Sequence, residues 1–180
     1  NDEEPFVFDN SLQTTYTKDE YLELKNKYGK DTFYAVITSA NFSVQKSDND
    51  YYVNFINYFA YMDEDNSLYK TIHGSYPKNE NEILLSSFIV DSMINFNVYG
   101  ANNSTLNLKN REEIIDKEIM INGKKYKVSG YFDCGEIDSI YDPIKENSDS
   151  FLLKENYFKY LSDGLYLLSF VTEKEVNNVF

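Results

Sequence analysis

The chain has 180 residues, with 17 Lys and Arg against 30 Asp and Glu, and therefore a formal net charge of −13. Spread over the roughly 9,000 Å² of a folded protein this size, that is one net negative charge per ~700 Å², which repels nucleic-acid phosphates and excludes a sequence-independent grip on nucleic acid. Hydrophobic residues make up 42%, which excludes a disordered acidic tail and supplies a core for one domain or two small subdomains.

The predicted elements run as follows. Thr17 and Glu20 have the spacing of a capping box, Tyr21, Leu24 and Tyr28 share a helix face, and Gly29 can take the left-handed conformation that ends a helix, so a helix is predicted over 17–29. An aromatic and β-branched run predicts a strand over 32–38. Segments 42–46 and 51–62 read as a hairpin around Ser47-Asp48-Asn49-Asp50; the second arm, apolar on both faces, is either a central strand or a helix, and its Tyr, Phe, Val and Ile content favours strand. A polar turn, 76–82, leads into a buried strand at Ile83-Leu84-Leu85. Ser86 or Ser87 then caps a helix with Phe88, Ile89, Met93 and Phe96 on one face. The Asn-rich stretch 95–108 reads as a loop.

The hairpin over 118–130 carries the strongest local signal. Ile119 and Ile121 alternate with polar residues, Asn122-Gly123 supplies a type I′ turn, and Tyr126 and Val128 alternate on the return. A loop over 134–149, a strand near 150–153, a helix over 154–161 and a strand over 165–171 complete the reading. Helices and hairpins mix without a run of βαβ units, so the expected fold class is α+β with mixed or antiparallel sheets and a few short helices.

The chain opens Asn1-Asp2-Glu3-Glu4-Pro5, without Met. Near its end Thr172 and Glu175 repeat the capping-box spacing, and Val176, Val179 and Phe180 share a helix face. A helix cut short there leads to the expectation of a piece excised from a longer protein, the alternative being a short terminal helix. No apolar run reaches the 18 or more residues of a membrane span. Asn, Lys, Ile, Tyr and Phe are abundant; their codons are A/T-rich, which points to a low-GC genome.

Catalytic patterns are sparse. The one histidine, His73, would have to serve any Ser–His–acid triad, yet no Gly-x-Ser-x-Gly elbow surrounds nearby Ser75; a surface turn is the better reading. One His and one Cys leave too few ligands for a transition-metal site. Cys134 cannot form an intrachain disulfide, and its neighbours Asp133 and Glu136 disfavour a thiolate. An EF-hand opened at Asp63 needs Gly at the sixth position and Glu at the twelfth; Leu68 and Gly74 stand there, so 63–67 reads as a solvated acidic turn. No phosphate-binding glycine loop is present. The expected site therefore holds no catalytic residue, no cofactor and no metal.

One pattern rises above this background. Gly74, Pro77, Glu82 and Ile83 form a Gly-x-x-Pro-x-x-x-x-Glu-Ile turn and strand, followed by a helix and then by a hairpin that closes Val128-Ser129-Gly130. This resembles the extracytoplasmic domain of FtsX-like, MacB-type ABC transporter permeases, over about a third of the chain. Where that family usually has Ile-Gly-Lys before the hairpin, this chain has Ile115-Asp116-Lys117. The resemblance implies a non-catalytic domain on the extracellular face of a Gram-positive cell membrane. It implies the chain's own transmembrane helices and a separate cytoplasmic ATPase as partners, with ATP used only by that ATPase. It implies a motif that serves the fold, Gly74 and Pro77 setting the turn and Gly130 allowing close backbone approach. The acidic surface adds a cationic peptide or an accessory extracellular protein as candidate partners. A secreted or lipid-anchored binding module, such as an adhesin or solute receptor, and a carboxylate-pair hydrolase are the alternatives.

Overall fold

The computed structural model describes residues 17–46, 49–145 and 151–178. Helix α1 (Lys18–Tyr28) starts at a complete capping box: the Thr17 side chain accepts from Glu20 N, and the Glu20 carboxylate accepts from Thr17 N. It ends at Gly29, at φ 95° and ψ −178°, a positive-φ region open to glycine but outside the predicted left-handed helical one. Of the predicted apolar face only Tyr21 is buried, and Tyr28 is largely exposed.

Strands β1 (Tyr34–Lys46) and β2 (Asn49–Tyr61) form one antiparallel hairpin from Tyr34↔Tyr61 to Lys46↔Asn49. The strand and hairpin arm predicted separately at 32–38 and 42–46 are thus a single strand. Register shifts between Ile37 and Asn41 mark where they join, because a bulge lets a strand bend without ending. The predicted turn residues 47 and 48 lie outside the described residues.

A 3₁₀ turn over Ser67–Thr71 leads to β3 (Ile72–Gly74), and β4 (Glu82–Ser86) follows with Ile83, Leu84 and Leu85 fully buried. In α2 (Ser87–Phe96) the cap is Ser86, whose hydroxyl accepts from Ile89 N at 3.1 Å. Ile89 and Met93 face the core as predicted, but Phe96 is half exposed; Asn97, at φ 49°, ends the helix there and turns the chain away. The hairpin of β5 (Glu118–Ile121) and β6 (Lys124–Phe132) has the predicted register, Ile121↔Lys124, around Asn122 and Gly123, both at positive φ.

A 3₁₀ turn over Ser139–Tyr141 and the short α3 (Asp142–Lys145) lie inside the stretch predicted as loop. The strand predicted near 150–153 is corrected: from Phe151 onward the chain is helical, as α4 (Phe151–Asp163). Position 150 lies outside the described residues. The short run Phe151-Leu152-Leu153 carries no periodicity of its own, and the helix is decided by Tyr157 and Leu161, which extend a one-face spacing from Leu153. Strand β7 (Leu168–Phe170) is shorter than predicted, and α5 (Glu173–Asn178) closes the described chain. Val179 and Phe180 lie outside it.

All seven strands join one mixed sheet in the order β1-β2-β7-β4-β6-β3, with β5 also on β6. The fold class is α+β, as expected. The buried strands alternate between two faces. Ile83, Leu85, Ile119 and Val128 pack with Ile89 and Met93 of α2, whereas Leu84, Phe132, Leu168 and Phe170 form a second cluster. β4 is apolar at every central position because both its faces are covered.

Candidate functional site

The six motif residues come together around one edge of the sheet. β6 keeps β4 on one side and changes partner on the other, from β5 to β3. At that change Gly74 and Gly130 are direct cross-strand partners. A Cβ on Gly130 would lie 2.2 Å from the His73 carbonyl oxygen, and one on Gly74 would lie 2.5 Å from the Ser129 carbonyl oxygen. Gly74 also holds φ +90°. Each glycine is therefore required by the backbone of the facing strand. Ser129 sits where the β4–β6 register slips between Ile83↔Val128 and Leu84↔Gly130, and its hydroxyl donates to the Ile83 carbonyl at 3.2 Å. Ile83 and Val128 are fully buried. Glu82 closes the turn before β4: its Oε2 accepts from Lys78 N at 2.6 Å, and its N donates to the Asn79 carbonyl at 3.1 Å. Pro77 is buried.

Beside this junction lies an open cleft of about 540 Å³, with Gly74, Ser75 and Pro77 on one wall and Tyr61, Tyr69 and Tyr76 as its aromatic lining. Tyr69 stacks on Tyr76 with centroids 5.2 Å apart and planes at 13°, and Tyr61 meets Tyr76 edge-on at 6.4 Å and 85°. The Tyr76 hydroxyl accepts from Met62 N at 3.2 Å and donates to the Val171 carbonyl at 3.0 Å, joining the ends of β2 and β7. Burial pushes that phenol far above its ordinary range. Tyr61 donates to Asp63 Oδ1 at 3.0 Å; burial first, then the Asp63 carboxylate, push the Tyr61 phenol up to about 12. Glu64, Glu173 and Lys78 complete the charged lining.

In the acidic turn 63–67, Glu64 and Asp65 are exposed as expected, but Asp63 departs from that reading. Its Oδ2 accepts from Lys25 Nζ at 2.8 Å and from the Tyr21 hydroxyl at 3.1 Å, so it docks α1 onto the end of β2. Burial alone would raise this carboxyl's pKa, but the hydrogen bonds from Lys25, Tyr61 and Tyr21 outweigh it and hold the pKa below the ordinary value.

His73 is exposed on edge strand β3 rather than in a turn, its ring stacked on Tyr131 at 4.6 Å and 7°. The Tyr131 hydroxyl donates to Glu112. Cys134 is half-buried, its sulfur 3.2 Å from the Ser87 hydroxyl. The Thr172/Glu175 pair is half a capping box. Glu175 N donates to Thr172 Oγ1 at 3.2 Å, but the Glu175 carboxylate turns inward to Lys124 Nζ at 2.7 Å and the Tyr126 hydroxyl at 2.6 Å.

Among the described residues no group of three or more His, Cys, Asp or Glu is arranged to hold a metal ion, and no helix is long and apolar enough to cross a membrane. Sequence reasoning missed Tyr61, Tyr69 and Glu64 as neighbours; Tyr76 and Lys78, on either side of Pro77, were within its reach. No protein-family model matches the chain, and no curated protein is similar to it at a significant level.

Proposed function

We propose that the chain is a non-catalytic extracellular domain of an FtsX-like ABC transporter permease, which couples ATP-driven movement of membrane helices to a substrate or partner outside the cell. The supporting observation is the Gly74–Gly130 pair. The two halves of the motif lie far apart in the chain, yet their glycines face each other across one ladder, and each occupies space a side chain would need. Glu82 and Pro77 shape the turn between these strands, and Ile83 and Val128 fill the core beneath them. On this reading ATP binds a separate cytoplasmic ATPase, and the domain itself carries out no chemistry.

The complete reading frame and its neighbour test the proposal. Membrane spans flanking this domain and an adjacent ATPase gene are expected. A signal peptide with a lipobox and no further span would instead support a lipid-anchored binding module. Turnover of a glycan or peptide by the purified chain would favour the carboxylate-pair hydrolase.

A further inference from the structure

We infer that the tyrosine-lined cleft binds a primary alkylammonium group of the kind a lysine side chain carries on a peptide. The inference stands on the cleft alone and does not depend on the permease reading.

The first argument is what the rings can offer. The Tyr76 hydroxyl is held between Met62 N and the Val171 carbonyl, and the Tyr61 hydroxyl is held by Asp63. These phenols are committed to the protein, and Tyr76 is itself packed between Tyr69, Phe170 and Tyr61, so Tyr61 and Tyr69 are the rings left to meet a ligand. Ring faces carry the negative end of the aromatic quadrupole and attract cations. Tyr61 donates its proton to a carboxylate that is itself held ionised, which shifts electron density onto the ring and strengthens that attraction. The near-parallel Tyr69–Tyr76 pair and the perpendicular Tyr61 line the same space from two directions.

The second argument is charge. Glu64, Glu173 and Lys78 are the charged residues that line the cleft. Glu173 is engaged by Lys18 at 3.0 Å. Glu64 is exposed and has no ion-pair partner among the described residues. A free carboxylate that can accept N–H bonds favours an ammonium with protons to donate. A neutral ligand of the same shape lacks both attractions, and an anion meets the unpaired Glu64 carboxylate. The volume, about 540 Å³, admits the ammonium with its methylene stem. Lys78, on the same lining, repels a second cation.

The test is a titration of the 15N-labelled chain with n-butylammonium, n-butanol and butyrate, followed through amide shifts at Ser75, Tyr76 and Lys78. Butylammonium is expected to shift these amides at millimolar concentration, and to bind at least about tenfold more tightly than butanol or butyrate. Added salt should weaken it. Glu64→Gln and Tyr69→Leu should each weaken it about fivefold or more, with unchanged spectra elsewhere, and Lys78→Met should tighten it. Because Glu64 is exposed, Glu64→Gln keeps the test informative if Tyr69→Leu fails to fold. Equal binding of butanol, weaker binding in Lys78→Met, or no cleft shifts up to about 100 mM butylammonium would overturn the inference.

Discussion

Gly74 and Gly130 sit in one close approach of β3 to β6, so their substitutions are coupled. Gly130→Ala places a methyl 2.2 Å from a backbone oxygen, which only strand separation relieves; we expect a loss above about 2 kcal/mol in urea denaturation. Gly74→Ala adds a positive φ to a 2.5 Å clash and should cost at least as much. The double variant should cost clearly less than the sum, because one separation relieves both. Gly123→Ala is the control: it too has positive φ, but nothing lies within 4 Å, so about 1 kcal/mol is expected. The contrast shows what was legible. Gly123 declares its role locally, beside Asn122 in a turn whose chemistry is written in two residues. The reason for Gly130 lies in a strand remote in sequence, so its position could be flagged while its partner could not.

Asp63 gives a pH prediction at the same scale. Its folded-state pKa lies below the unfolded value of about 3.9. Its contribution to stability is therefore present above that value and lost as pH falls through the folded pKa. Asp63→Asn should lower the urea midpoint at pH 7, and the gap to the parent chain should shrink as pH drops below about 4. A gap that is constant or grows on acidification would contradict the assignment. The sequence showed only a run of acids here; that one of them gathers Lys25, Tyr21 and Tyr61 depends on where α1 docks.

At the scale of elements, two side chains link parts that sequence patterns treat separately. Ser86 caps α2 and also donates its hydroxyl to the Tyr166 carbonyl at 2.5 Å. Ser86→Ala loses a cap and leaves a buried carbonyl unpaired, for about 1–3 kcal/mol in thermal or urea unfolding. Glu175 is 1% exposed and ties α5 to the β5–β6 hairpin through Lys124 and Tyr126. Glu175→Ala should cost about 1–3 kcal/mol, since Lys124 is partly exposed and can return to water. Hydrogen exchange should show α5 losing protection before the sheet does. Reading Thr172 and Glu175 as a full capping box was reasonable on spacing and half right in the molecule. A carboxylate at that position can reach back to its own helix or inward to a partner, and here Lys124 and the buried Tyr126 win. Helix α4 shows the opposite difficulty: its first residues look like a strand until the helical spacing of Tyr157 and Leu161 is counted with them.

For the whole molecule, the mixed sheet follows from covered faces more than from local propensity. β4, parallel to β6 and antiparallel to β7, is buried on both sides, and its Ile83-Leu84-Leu85 run reads as buried in any register. The class, α+β, was therefore legible, while strand order was not, because β7 is only three residues long and is placed by long-range pairing. The cleft was illegible for the same reason: Tyr61, Tyr69 and Tyr76 come from the end of β2, a 3₁₀ turn and a loop, and they meet only once β3 has paired with β6. The charge of −13 sets up a field that repels phosphates and attracts cations.

The central claim is that this domain belongs to a membrane permease driven by a separate ATPase. Its most direct measurement is affinity purification of the full-length gene product from detergent-solubilised membranes, with ATP hydrolysis assayed in the eluate. The account predicts a membrane-integral protein that brings an ATPase subunit and its activity with it. A product recovered from the soluble or secreted fraction, without an ATPase, would contradict it.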